Sequence, residues 1–249
     1  MSDSAFHPNG WSLVTGDRPR RALRSAGGIG PYFVARLDPA SPGTTADEFF
    51  EPGALRGLVD DVARRQGTTE SRVAVSSLQY ELAERLWSVV LGSWVTDRLI
   101  PDLAAMRYGR TSVGRVRLHL ANPTAYERHS ATAAETATVV AAIVLDQLTS
   151  LHLALRSITD VANGLLWGNA ATALALATHT LLNRGERHHH GVAEISRALL
   201  AIPPLAGRLD GDIIGTMKRR SCCLYYRTAA RRTCGDCPLT GTAVVRARA

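Results

Sequence analysis

Apolar residues recur at three- and four-residue steps from Ser71 to Leu99. Val75, Leu78, Leu82, Leu86 and Val89 form one stripe, while Glu81, Glu84 and Arg85 fall on other faces. The spacing predicts a long helix, closed by Pro101 because proline has no N–H to continue the ladder. From Val113 to Leu120 apolar and charged residues alternate instead, the pattern of a half-buried strand that Asn122-Pro123 ends. A second short strand is expected over Tyr32 to Leu37, after the turn Gly27-Gly28-Ile29-Gly30-Pro31. Further helices are expected at about 134–157, 160–182 and 192–201. Residues 1–25, broken by Pro8, Gly10 and Pro19, read as a loose leader. The class is therefore α+β: a predominantly α-helical body with a small antiparallel sheet over residues 26–207, then a short C-terminal module over 208–249.

Composition supports a real core, since 45% of the 249 residues are hydrophobic and no cysteine staple is needed. Val161 to Asn183 carries no Asp, Glu, Lys or Arg, but Asn163, Gly164, Gly168, Asn169, Thr172, Thr178, His179 and Thr180 interrupt it. A buried alanine-rich helix fits better than a membrane span. The N-terminus lacks a basic start followed by an apolar run, so a cytoplasmic location is expected. The net charge of +7 is concentrated at one end. Lys218, Arg219, Arg220, Arg227, Arg231, Arg232, Arg246 and Arg248 face Asp236 alone, so the preceding residues sum to about zero.

All four cysteines lie in that basic end, as Cys222-Cys223, ten residues, then Cys234-Gly235-Asp236-Cys237. Four thiolates are the number that completes a [2Fe–2S] rhomb, two per iron. The Cys234/Cys237 spacing lets two sulfurs reach one metal, and Gly235 permits a tight turn between them. The intervening loop is long enough to bring the vicinal pair to the second pair. Which cysteines share an iron is left open, with Cys234/Cys237 and Cys222/Cys223 the simplest assignment. Disulfides are disfavoured in a reducing compartment. Structural zinc usually takes two Cys-x2–4-Cys hairpins, and a vicinal pair fits that poorly. A thioredoxin-like pair would leave Cys222 and Cys223 without a role. An oxidised cluster on four thiolates carries −2, and the adjoining arginines would offset that charge and raise its potential.

The stretches Arg219-Arg220-Ser221-Cys222-Cys223-Leu224-Tyr225-Tyr226-Arg227 and Thr233-Cys234-Gly235-Asp236-Cys237-Pro238-Leu239 resemble the FhuF-like ferric siderophore reductases, cytoplasmic iron–sulfur proteins. Weaker similarity covers Ser76-Ser77-Leu78 through Leu86-Trp87-Ser88, Leu165-Leu166-Trp167-Gly168-Asn169-Ala170, and Gly30-Pro31-Tyr32-Phe33. The resemblance implies an oxidoreductase that passes one electron to siderophore-bound Fe(III). It implies a [2Fe–2S] cofactor held by Cys222, Cys223, Cys234 and Cys237, and no other catalytic residue.

Arg219, Arg220, Arg227, Arg231, Arg232, Tyr225 and Tyr226 are candidates for docking a partner or the substrate, with packing the plainer role for the two tyrosines. Trp167 and Asn169 read as a core tryptophan and a satisfied buried amide rather than a binding surface. No G-x-G-x-x-G, P-loop, G-x-S-x-G or H-E-x-x-H motif occurs. Electrons are thus expected from a separate donor, and an acidic ferredoxin-type protein suits the basic segment. His188-His189-His190 reads as an exposed polar turn. The rival function is an iron–sulfur or zinc regulator binding nucleic acid through the basic end. No helix-turn-helix or aromatic RNA-binding motif supports it, and nucleic acid is not the expected partner.

Overall fold

A computed structural model describes residues 8–40, 43–185 and 191–240. His188–His190, Arg246 and Arg248 lie outside the described residues. About 52% of the chain is helical, with small sheets, which fits the α+β expectation.

The expected long helix is α4, Ser71–Asp97, and it is the axis of the fold. It packs against α6 (Asn163–Leu182), α1 (Asp17–Gly27), α3 (Pro52–Gln66) and α5 (Ala133–Ile158). With neighbours on so many sides, α4 buries far more than one stripe: Val73, Val90 and Leu91 join Val75, Leu78 and Leu82 in the core. Glu84 is buried as well. The helix stops before Pro101, at Arg98 in the left-handed conformation (φ 57°). Pro101 belongs to a strand, β3 (Ile100–Pro101).

The described part of the segment expected to be a loose leader, from residue 8 on, is structured. It holds strand β1, Ser12–Val14, and helix α1, whose Ala22, Leu23 and Ala26 are buried. Pro19 lies in the first turn of α1, where the missing N–H has no intrahelical partner to lose. The expected strand over Tyr32 to Leu37 is mostly a 3₁₀ turn at Pro31–Phe33, followed by the two-residue strand β2, Ala35–Arg36. Helix α2, Ala46–Phe49, opens with a capping box in which Thr45 and Glu48 satisfy each other's end groups.

The sheets are not purely antiparallel. β1 and β3 both pair antiparallel with β6 (Ala125–Glu127). β4 (Arg107–Arg110) pairs antiparallel with β5 (Val116–His119), with Tyr108 opposite Leu118, while β2 joins β5 in parallel. After α7 (Val192–Leu200), the hairpin β7 (Leu209–Gly211) and β8 (Met217–Arg219) delivers the chain to the cysteines.

Two helices, α5 and α6, are long and apolar enough to cross a membrane by length and composition. In α6, 83% of the most apolar window is buried against the rest of the protein, as a core helix requires. Trp167 of α6 is in that core, edge-on to His152 of α5 at 4.3 Å between ring centroids. His152 Nε2 is 2.9 Å from the Gln79 amide nitrogen, and burial pushes its pKa down to about 3. Below pH 6.5 the unfolded chain takes up a proton that the folded protein refuses, so acid favours unfolding. Between pH 6.5 and about 3 this one group is expected to remove up to about 1.4 kcal/mol per pH unit. His152→Gln should flatten that part of the curve of urea-denaturation stability against pH. Identical slopes in both proteins would refute the assignment.

Candidate metal centre

β8 ends at Arg219, whose backbone N–H donates to the Asp236 carbonyl at 3.1 Å. That bond brings the second cysteine pair beside the first. The loop between the pairs turns through Leu224 in the left-handed conformation (φ 64°) and a 3₁₀ turn at Tyr225–Arg227. Its Ala229 N–H donates to the Gln66 carbonyl at 2.9 Å, docking it on the end of α3. Gly67 makes this docking tolerable: its φ is +59°, and a Cβ there would lie 2.7 Å from the Ala229 methyl.

Two of the four sulfurs are in contact. Cys223 Sγ and Cys234 Sγ are 3.4 Å apart. Cys222 Sγ accepts the Leu224 N–H and Cys237 Sγ accepts the Leu239 N–H, each at 3.4 Å and each from two residues ahead. Cys237 is buried, and the other three are half-buried. Among the described residues, no three His, Cys, Asp or Glu side chains gather around a single ion position.

A buried polar chain ties this segment to the helical body. Arg219, 2% exposed, donates from Nε to Asp236 Oδ2 at 2.5 Å and from Nη1 to Asn169 Oδ1 at 2.7 Å. Asn169 in turn donates from Nδ2 to both the carbonyl and the hydroxyl of Ser76, each at 3.0 Å. The Ser76 hydroxyl donates to the Cys223 carbonyl at 2.8 Å, and the Thr172 hydroxyl donates to Asp236 Oδ2 at 2.9 Å. The first cysteine pair is thus anchored to α4, and the second, through Asp236, to α6. Gly168 completes the fit, because a Cβ on it would collide with the Ser221 hydroxyl.

Charge at the site follows from this chain. Burial alone would lower the Arg219 pKa, but Asp236 and the Cys223 and Cys234 thiolates raise it above its ordinary value. Burial likewise opposes ionisation of Asp236, yet Arg219 and the Thr172 hydroxyl hold its carboxyl below the usual range. The hydrogen bond shared with Cys234, helped by the nearby Arg219, pulls the Cys223 thiol down. That shared hydrogen bond and burial push Cys234 up, and burial raises Cys222. One thiolate therefore forms readily beside a fixed guanidinium, and metal ligation needs the thiolate form.

The five arginines expected to form a docking surface separate into distinct roles. Arg219 is interior and cannot meet a partner. Arg220 pairs with Asp210 at 2.6 Å and Arg227 with Glu70 at 2.7 Å, so both are partly neutralised on the surface. Arg231 and Arg232 are exposed and carry no ion pair among the described residues. Much of the basic stripe that a nucleic-acid backbone would need is thereby used internally. Tyr226 is 40% exposed, and Tyr225 borders a cavity of about 470 Å³ that reaches Cys223 and Cys234.

Ser76, Thr172 and Asp236 are site residues that sequence reasoning did not single out. The available signal was Asp236: a lone acid between two cysteines, in a segment otherwise all basic, marks an internal ion pair.

Residues 219–239 match the family model of the FhuF 2Fe-2S C-terminal domain. The cysteine module is of the FhuF type. This supports the resemblance to FhuF-like siderophore reductases over the stretch that carries all four cysteines. No curated protein matches the chain. The FhuF 2Fe-2S domain binds a [2Fe–2S] cluster, and the residues here fit one. The donor set is four sulfurs, two of them in contact and no three around one ion position among the described residues, which suits two irons better than one. Backbone N–H groups aimed at Cys222 and Cys237, and the Arg219 guanidinium, supply the hydrogen bonds and positive charge that such a centre uses.

Proposed function

We propose that this chain is a cytoplasmic ferric siderophore reductase, which delivers one electron to siderophore-bound Fe(III) so that the iron leaves as Fe(II). The observation that carries the reading is the FhuF 2Fe-2S match over residues that hold all four cysteines. Bound by Cys222, Cys223, Cys234 and Cys237, a [2Fe–2S] cluster supplies one-electron chemistry. The chain's own residues hold that centre and set its field. Arg219 places a buried positive charge beside Cys223 and Cys234, which favours the more negative, reduced state. Asn169 and Ser76 fix the position of Arg219 and of the Cys223 backbone.

The chemistry asked of the substrate is simple. Hard oxygen ligands hold Fe(III) more tightly than Fe(II), because the higher charge dominates the attraction. Adding one electron loosens the chelate, and no side chain has to move a proton. The electron comes from a separate donor, and an acidic ferredoxin-type protein suits the exposed Arg231 and Arg232.

The test uses anaerobically purified protein, reduced with dithionite and freed of excess reductant. Mixed with ferric desferrioxamine B and ferrozine, it is expected to yield one Fe(II) per reduced cluster, together with return of the oxidised visible spectrum. Fe(II) no higher than with apo-protein, for hydroxamate, catecholate and carboxylate chelates alike, would overturn the proposal.

A further inference from the structure

We infer that the ferric chelate binds in the cavity between α4 and the cysteine module, with the Cys223/Cys234 edge as the side across which the electron leaves. This inference rests on the reductase reading and gives it a place on the protein. The cavity, about 470 Å³, lies within the range that takes small molecules. Of the four cysteines, only Cys223 and Cys234 line it. Gly235, also on the wall, is exposed and has no side chain to hold a ligand away from the sulfurs beside it. One-electron reduction makes no bond between protein and substrate, so closeness is its main demand.

The opposite wall is one face of α4, presenting Ser77, Glu81 and Glu84 at successive turns. Ser77, Glu81 and Glu84 make one polar face on a helix that is otherwise largely core. Glu84 is 6% exposed, and Glu81 is held between Arg65 and Arg85 at 3.5 Å from each. With Arg65 and Arg115 they line the cavity with charged groups, which suits a polar ligand. Three tyrosines supply flat walls with a polar tip: Tyr32, which lies under the Arg85 guanidinium at 5.0 Å, Tyr80, which faces Arg219 at 5.9 Å, and Tyr225. That combination suits a chelate with an apolar skeleton and amide or hydroxyl groups at its surface. Exposed Arg115 marks the rim, so entry needs no rearrangement of the fold. In the step itself Fe(III) gains one electron and becomes Fe(II). That electron originates from the donor protein of the previous subsection, and no proton or leaving group moves.

The test fills the cavity from two sides, with Ser77→Trp on α4 and Arg115→Trp at the rim. Binding of gallium(III) desferrioxamine B, which cannot be reduced, is measured by titration calorimetry on the anaerobic holoprotein. Second-order reduction of ferric desferrioxamine B is followed in parallel. Each variant is expected to weaken gallium-chelate binding at least ten-fold and to slow ferric-chelate reduction to match, while reduction of the protein by dithionite keeps its rate. If Ser77→Trp is isolated without the wild-type visible spectrum, Arg115→Trp alone decides. A wild-type protein that binds and reduces the chelate, with blocked variants equal to it, overturns the cavity assignment and leaves the reductase intact. A wild-type protein that neither binds nor reduces a hydroxamate, catecholate or carboxylate chelate overturns the reductase reading itself.

Discussion

Replacing Arg219 by methionine is expected to lower the melting temperature of the anaerobic holoprotein by roughly 10 °C. The substitution removes one partner of a buried ion pair and leaves Asp236, 5% exposed, as an uncompensated charge. Breaking a buried pair in this way typically costs about 3–5 kcal/mol. For a chain of this length each kcal/mol moves the melting temperature by about 2–4 °C. Asn169 Oδ1 also loses its donor, an added cost of about 1–3 kcal/mol that partial relaxation or water would reduce. The double variant Arg219→Met, Asp236→Leu removes both charges and should recover most of the loss, because the pair's desolvation cost disappears with it. Arg219→Lys keeps the charge but not the fork that reaches Asp236 and Asn169 together, and it should fall between. The same methionine substitution should make the cluster potential more negative, since a positive charge beside Cys223 and Cys234 is lost. Far-UV circular dichroism melts and a redox titration read these effects. A double variant as unstable as the single would show that the pair is not what holds the module.

Sequence periodicity located α4, α5, α6 and α7, because long apolar runs at helical spacing have few other solutions. It failed where tertiary contacts decide. α1 looks broken by Pro19, yet proline is harmless in a first turn, and Ala22, Leu23 and Ala26 gain their burial from partners distant in sequence, α4 and the β1/β6 strands among them. The two-residue strand β2 owes its existence to β5, and its parallel pairing has no local signature at all. The cysteine pattern was legible because its spacing is chemically unusual. The residues that anchor it were not, because Ser76, Asn169 and Thr172 belong to helices distant in sequence and look like ordinary polar residues on apolar runs. The weak similarities around Ser76, Asn169 and Tyr32 acquire a physical meaning once folded. Ser76 and Asn169 join the chain to Arg219, and Tyr32 borders the cavity in front of Cys223. The basic C-terminal stretch misled in the opposite sense. Read along the chain it is a uniform positive surface, but Arg219 points inward and Arg220 and Arg227 find carboxylates.

Alanine at any one of the four cysteine positions is expected to abolish both the visible cluster absorption and ferric-chelate reduction, since one iron then lacks a ligand that this site cannot replace. Asp236, the carboxylate between Cys234 and Cys237, is committed to Arg219. Serine substitutions carry more information. Two thiolates on one tetrahedral metal, with bonds of about 2.3 Å, lie about 3.7 Å apart, whereas thiolates on different irons are much farther. The 3.4 Å between Cys223 and Cys234 is close to the first of these, so the two are expected to share one iron. Cys222 is then left with Cys237. This crossed arrangement is the expectation to set against the simpler assignment of neighbours in sequence, Cys222 with Cys223 and Cys234 with Cys237. Where cluster survives in serine variants, Mössbauer spectra of the reduced proteins should fall into two matching sets, Cys223→Ser with Cys234→Ser and Cys222→Ser with Cys237→Ser. An oxygen ligand favours the ferric state of the iron it binds, so the two sets place the ferrous iron at opposite ends of the cluster. If Cys222→Ser instead matches Cys223→Ser, the pairs are uncrossed, and the close approach of Cys223 to Cys234 is a contact between ligands of different irons.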